Sequence, residues 1–234
     1  METIPLSRLA IAFVPVAMVV ALLWHWKLDY RSALVAVGRM LLQLLLIGYV
    51  LVFLFEAQNG LIILGTLSVM LLAASWIALG NLAGSFRVLF PKSLAAIAIG
   101  GGVVLLVMTQ GVLGLDPWFE PSKVIPLAGM IFATSMNSVS LAGERLEAEV
   151  ATGMDFLEAR PIAMRAALIP ITNSLLAVGL VSLPGMMTGQ ILSGVSPFIA
   201  ARYQIMVMCM IFGAAGFSAA LFLTIARKQL EVEP

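Results

Sequence analysis

The run GERLEAEVATGMDFLEARPIAMR, residues 143–165, is the only long polar stretch in the chain, and its surroundings decide the fold. Glu144, Arg145, Glu147, Glu149, Asp155, Glu158, Arg160 and Arg165 all fall within it. On either side the sequence turns apolar, over 124–142 and 164–183. Each run approaches the length of about 20 residues that a helix needs to cross bilayer hydrocarbon. Further out, similar stretches recur at 5–24, 34–55, 61–80, 94–115 and 203–226. This alternation predicts an all-α, polytopic integral membrane protein with about seven transmembrane helices. Residues 1–234 then form a single transmembrane domain, with 143–165 as a cytoplasmic loop inside it.

Composition leads to the same class. The chain is 62% hydrophobic and 11% charged, with a mean hydropathy of +1.08. Soluble domains carry about 25% charged residues, so this chain cannot wrap a polar surface around a core. It must sit in membrane lipid. The net charge of +1 points to neither nucleic acid nor an acidic partner. One cysteine, Cys209, and one histidine, His25, exclude an internal disulfide and a zinc site of the His/Cys type.

The opening METIPLSRLAIAFVPVAMVVALLWHWKLDY has the polar-then-apolar outline of a secretion signal. No basic cluster precedes its apolar run, and Trp24, His25 and Trp26 occupy the place of a small-residue cleavage site. A retained first span with interfacial tryptophans is therefore expected. With the N-terminus outside, Lys27, Arg31, Arg87, Lys92, Arg145, Arg160, Arg165, Arg227 and Lys228 fall on the cytoplasmic side. Arg8, Lys123 and Arg202 fall outside, and Arg39 lies within the second span. The bias predicts a multi-pass protein of the cell (inner) membrane with a cytoplasmic C-terminus.

Inside the polar run, residues 144–151 are good helix formers and Thr152-Gly153 interrupts them. Asp155 is a candidate N-cap for a short FLEAR helix that Pro161 terminates, with Glu158 where a capping box requires it. Two readings stand open: a solvated connector, or a docking helix for a cytoplasmic subunit.

No phosphate-binding G-x-x-x-x-G-K-[ST], H-E-x-x-H, G-x-S-x-G or paired-cysteine motif occurs. The chain is thus expected to hold no catalytic residue and no cofactor of its own. Energy for uphill transport would come from a partner or an ion gradient.

Polar side chains within spans are costly and need protein or water beside them. Arg39 and Gln43 share a face of the second span, and Arg39 either snorkels to the interface or lines a pathway. Met130, Thr134 and Asn137 follow one face of the fifth span. Asn173 comes three residues after Pro170, which is expected to kink the sixth. The two asparagines suit either interhelical hydrogen bonding or a substrate pathway. Met186, Met187, Met206, Met208 and Met210 gather around Cys209 in sequence. They are soft ligands or flexible filler, and no metal-ligand set follows from the sequence. GGG at 100–102 and GAAGFSAA at 213–220 suit close helix packing.

VSLPGMMTGQILSGVSP, residues 181–197, breaks the apolar pattern without charge. Pro184-Gly185 is expected to end the sixth span, and Gly189 and Gly194 to permit turns. The segment is either a plain external loop or an outer gate presenting Met186, Met187, Thr188 and Gln190.

The run NSLLAVGLVSLPGMMTGQILSGVSPFIAARYQIMVM at 173–208 resembles the FetB-type ABC permeases, a family of bacterial iron exporters and plant aluminium-tolerance membrane subunits. The likeness extends to PLAGMIFATSMNSVSLAGERL at 126–146, RAALIP at 165–170 and VGRMLLQLLLIGYVL at 37–51. It implies the membrane subunit of an ATP-driven exporter, with iron or another metal cation as cargo. A separate cytoplasmic ABC ATPase subunit would bind ATP and Mg. By the same resemblance the permease is a homodimer. Its ATPase would dock on 149–160, through Glu149, Gly153, Asp155, Phe156, Leu157, Glu158 and Arg160. The docking loop reads EAEVATG and LEAR where many ABC permeases carry Glu-Ala-Ala followed by Gly. The alternatives are a permease for a non-metal solute such as a nucleotide sugar, a secondary carrier, and a non-transporting scaffold. Against the carrier, Glu56 and the other acids all lie at span ends or in loops.

Overall fold

A computed structural model of the chain describes residues 4–56, 59–80, 82, 84 and 86–227. Lys228 lies outside the described residues. The chain divides into two compact units, Met1–Glu56 and Ala57–Pro234.

The N-terminal unit is built from α1 (Leu6–Ile11), α2 (Phe13–His25) and α3 (Tyr30–Glu56). Asp29 starts α3 by accepting from Arg31 N and Ser32 N, both at 3.2 Å, and from Ser32 Oγ at 2.6 Å. The Ser32 bonds hold its carboxyl below the ordinary aspartate range, with smaller contributions from Arg31. Lys27, at φ 58°, reverses the chain between α2 and α3. Trp24 and Trp26 are exposed on either side of His25.

The second unit contains α4 (Gly60–Ala78), α5 (Phe86–Leu106) with a π-helical continuation (Val107–Val112), α6 (Pro121–Ala151), α7 (Phe156–Ala177), α8 (Gly185–Leu192) and α9 (Pro197–Ile225). Among the described residues no strand forms, and one isolated bridge pairs Val178 with Ser182. Among the described residues six helical stretches are long and apolar enough to span a membrane: Ser7–His25, Tyr30–Glu56, Gly60–Ala78, Phe86–Val112, Pro121–Ala151 and Pro197–Ile225. The seventh expected stretch, 164–183, corresponds to α7. That helix begins among Glu158, Arg160 and Arg165 and ends at Ala177, so its apolar part is short.

α9 packs against α5, α6, α7 and α8 and forms the axis of this unit. Met206, Met208 and Met210 are therefore all buried, although their spacing cannot place them on one helix face. In lipid, helices gain little by hiding apolar surface from one another, and close backbone approach decides the packing. Gly100 provides it. A Cβ there would fall 2.7 Å from both the backbone N and the Oγ of Ser218. Ser218 Oγ donates to Ser135 Oγ at 2.9 Å, and Ser135 Oγ donates to the Ala214 carbonyl at 3.3 Å. The small residues of 100–102 and 213–220 thus lock α5, α6 and α9 together. A second buried link joins α5 to α4, from Ser93 Oγ to the Ser75 carbonyl at 3.3 Å.

Three local expectations are corrected. The fifth span and the helix over 144–151 are one continuous α6: Gly143 at their junction is buried against Leu82 and Phe222 and does not interrupt the helix. The long polar loop shrinks accordingly to the turn at 152–155. FLEAR is not a separate helix, because α7 continues through both Pro161 and Pro170 to Ala177. Each proline costs one backbone hydrogen bond, and packing against α6 and α9 holds the helix together. Finally, Pro184-Gly185 starts a helix instead of ending one: Pro184 is the N-cap of α8 and Gly189 lies inside it. Gly194, at φ 89°, makes the turn into α9.

Candidate functional site

The α6–α7 turn is fixed by local chemistry. Gly153, at φ 89°, takes the left-handed position that glycine adopts without strain. Gly153 N donates to the Val150 carbonyl at 2.9 Å and Met154 N to the Glu149 carbonyl at 3.4 Å, which closes the end of α6. Asp155 then caps α7 as expected, accepting from Leu157 N at 2.8 Å. The reciprocal capping-box bond from Asp155 N to the Glu158 side chain is not made, and Glu158 faces outward.

Of the docking residues named from sequence, Asp155, Leu157, Glu158 and Arg160 are exposed together with Gly153. Glu149 is mostly covered and ion-paired with Arg145 one turn earlier. Phe156 is only 2% exposed and cannot lie on a docking surface. Its ring sits under the Arg227 guanidinium, 5.4 Å from centroid to Cζ, and pins the start of α7 to the end of α9. Ala159 and Ala163 continue this buried face. At the same end Gly84 N donates to Glu147 Oε1 at 3.1 Å, tying the α4–α5 connection to α6.

Farther along the two helices, Asn137 on α6 and Asn173 on α7 are both exposed. They form no hydrogen bond among the described residues, so they do not link α6 to α7. Asn137 lies 16 residues before Gly153 and Asn173 lies 18 after Asp155. At 1.5 Å per residue both sit about 25 Å from the turn. Ser174 Oγ donates to the Pro170 carbonyl at 3.0 Å. Arg39 and Gln43 belong to the N-terminal unit, exposed one turn apart on α3.

At the end of the bundle opposite the turn, α6, α8 and α9, with Leu113, line a partly open cavity of about 230 Å³. Met186 and Gln190, named from sequence, line it together with Met130, Tyr203 and Met206. Met187 and Thr188 do not line it; Thr188 Oγ1 donates back to the Pro184 carbonyl at 3.2 Å. The amide oxygen of Gln190 is buried without a hydrogen-bond partner among the described residues. Lys123 also borders the cavity, and its ammonium donates to Glu120 at 2.9 Å. That bond, opposed by desolvation and helped by Ser122, holds the Glu120 carboxyl below the usual glutamate range. Sequence placed Met130 on a face with Thr134 and Asn137, and gave no sign that it meets Met206. The pairing depends on α6 and α9 both beginning at this end, which is a tertiary fact. Among the described residues no group of three or more His, Cys, Asp or Glu side chains could hold a metal ion.

The helices, their apolar outer faces and the loops between them define an all-α, multi-pass membrane protein. The chain belongs to the uncharacterised protein family UPF0014, whose model matches residues 6–230. It is 39% identical to a UPF0014 membrane protein of Synechocystis over 82% of this chain and 80% of that one. It is 35% identical to the probable iron export permease protein FetB of Escherichia coli, over 91% of this chain and 86% of FetB. To the protein ALUMINUM SENSITIVE 3 of Arabidopsis thaliana it is 33% identical, over 90% and 81% of the two chains. No solved structure matches the chain.

Proposed function

We propose that the chain is the membrane subunit of an ATP-driven exporter, energised by a separate cytoplasmic ABC ATPase that binds ATP and Mg. The α6–α7 turn carries this reading. It offers Asp155, Leu157, Glu158 and Arg160 to a partner while Phe156, Ala159 and Ala163 are buried on the same helix. A push on the exposed face of α7 is therefore delivered directly to α9. This arrangement suits a coupling element better than a solvated connector. The turn is then cytoplasmic, with the N-terminus outside and the protein in the inner membrane.

Asn137 and Asn173 support a homodimer. Hydrocarbon offers an exposed amide no partner, whereas a second copy packed over these side chains would. The solute would pass between the two copies beside these side chains. The name of the Escherichia coli relative makes iron the first cargo to test.

The test is to express the chain with an ABC ATPase and measure ATP-dependent iron accumulation in sealed inverted vesicles. Accumulation should require ATP. It should be lost in Leu157→Asp and in Glu158→Lys, while the chain still reaches the membrane. Accumulation that persists without ATP would favour a secondary carrier. Full coupling in both variants would remove the docking role from this turn.

A further inference from the structure

We infer that the α6–α8–α9 cavity is a binding site for a soft, monovalent, thioether-seeking cation of the Cu(I) or Ag(I) type. Met130, Met186 and Met206 come from three different helices and border one space of about 230 Å³. That is below the roughly 300–1,000 Å³ of pockets that take drug-sized molecules, so an ion suits it better than a sugar nucleotide. Gln190 adds an amide oxygen that is buried and unpartnered among the described residues. Leaving such an acceptor unpaired is costly, and a cation would satisfy it.

The donors also select the charge and softness of the ion. All four are neutral, three of them are soft thioethers, and among the described residues no carboxylate lines the cavity. Hard ions such as Mg²⁺, Ca²⁺ or a trivalent metal favour several oxygen donors, usually with carboxylates among them, over thioethers. A d¹⁰ monovalent ion is weakly hydrated and binds thioethers well. Lys123 would repel a cation, but its ammonium is already held by Glu120. Core filling alone accounts for Met206, which is 9% exposed, but less well for Met186, which is 38% exposed and still faces the cavity.

This inference goes beyond transport, since a bound cation is compatible with any cargo, and its test reads binding instead of flux. The full chain in detergent, carrying Cys209→Ser to remove the exposed free thiol, is titrated calorimetrically with Ag(I). Saturable binding should weaken at least about tenfold in Met206→Leu and in Met130→Leu. It should be lost in the triple variant with Met186→Leu. Gln190→Met should retain it, and Met40→Leu on α3 should leave it unchanged. Helicity followed by circular dichroism shows that each variant is folded; if the triple variant is not, the single variants decide. Unchanged affinity in Met206→Leu and Met130→Leu, or binding abolished by Cys209→Ser alone, would overturn the assignment.

Discussion

The two ends of the second unit are built on different principles. At the α6–α7 turn the fixing interactions are directional: a glycine closes one helix, Asp155 caps the next, Glu147 holds the adjoining loop and Arg227 covers Phe156. At the α8 end, thioethers and an aromatic ring surround a cavity, and a buried amide oxygen has no partner among the described residues. The first end is held by bonds between named partners on α6, α7 and the adjoining segments and so suits bearing load. The second retains unused donor capacity and so suits a ligand. Substitutions should therefore damage stability at the turn and damage binding at α8.

The largest effect is expected from Phe156→Ala, which removes a buried ring and should cost about 3–5 kcal/mol. Thermal unfolding in detergent reads it, and an unshifted midpoint would break the contrast. Gly153→Ala forces a Cβ into the left-handed region at a cost of about 1–2 kcal/mol, visible as an earlier midpoint in the same assay. Asp155→Ala loses the cap bond and should cost about 1 kcal/mol; Asp155→Asn should recover most of this. At the other end Met206→Leu nearly conserves volume and should cost less than about 1.5 kcal/mol, while cutting Ag(I) affinity in calorimetry. Smallest of all, Gln190→Leu removes a buried acceptor that has no partner. Its unfolding midpoint should stay level or rise slightly, and a clear fall would mean that the oxygen already has a role in holding the fold.

What was legible in the sequence was mostly local. Apolar runs of membrane length identified the helices, because hydropathy is a property of each segment alone. Asp155 followed from its own side chain and the residues after it. One proline misled: Pro161 reads as a terminator of FLEAR, yet α7 runs on through it, held by the neighbouring helices. Pro184 precedes a helix that eight residues of mixed character, GMMTGQIL, did not announce. The interlock at Gly100 was anticipated in kind, since small residues were visible in both segments, but not in its partner. Phe156 sat among docking residues by adjacency, and only tertiary packing turns it inward. Met130 and Met206 lie 76 residues apart, and nothing in either segment identifies the other as a neighbour. The asparagines were marked from sequence as polar groups in spans, but their exposed position on the chain depended on which faces α6 and α7 bury.

The lock around Ser135 has a mechanical consequence. Ser135 stands 14 residues from Pro121 and 16 from Ala151, close to the midpoint of α6. At 1.5 Å per residue the two sections measure about 21 and 24 Å. If α6 tilts as a rigid rod about this point, it behaves as a balanced lever. A displacement of the turn then arrives at Pro121 with nearly the same amplitude and the opposite sense. Met130, only five residues from the fulcrum, would move about a third as far.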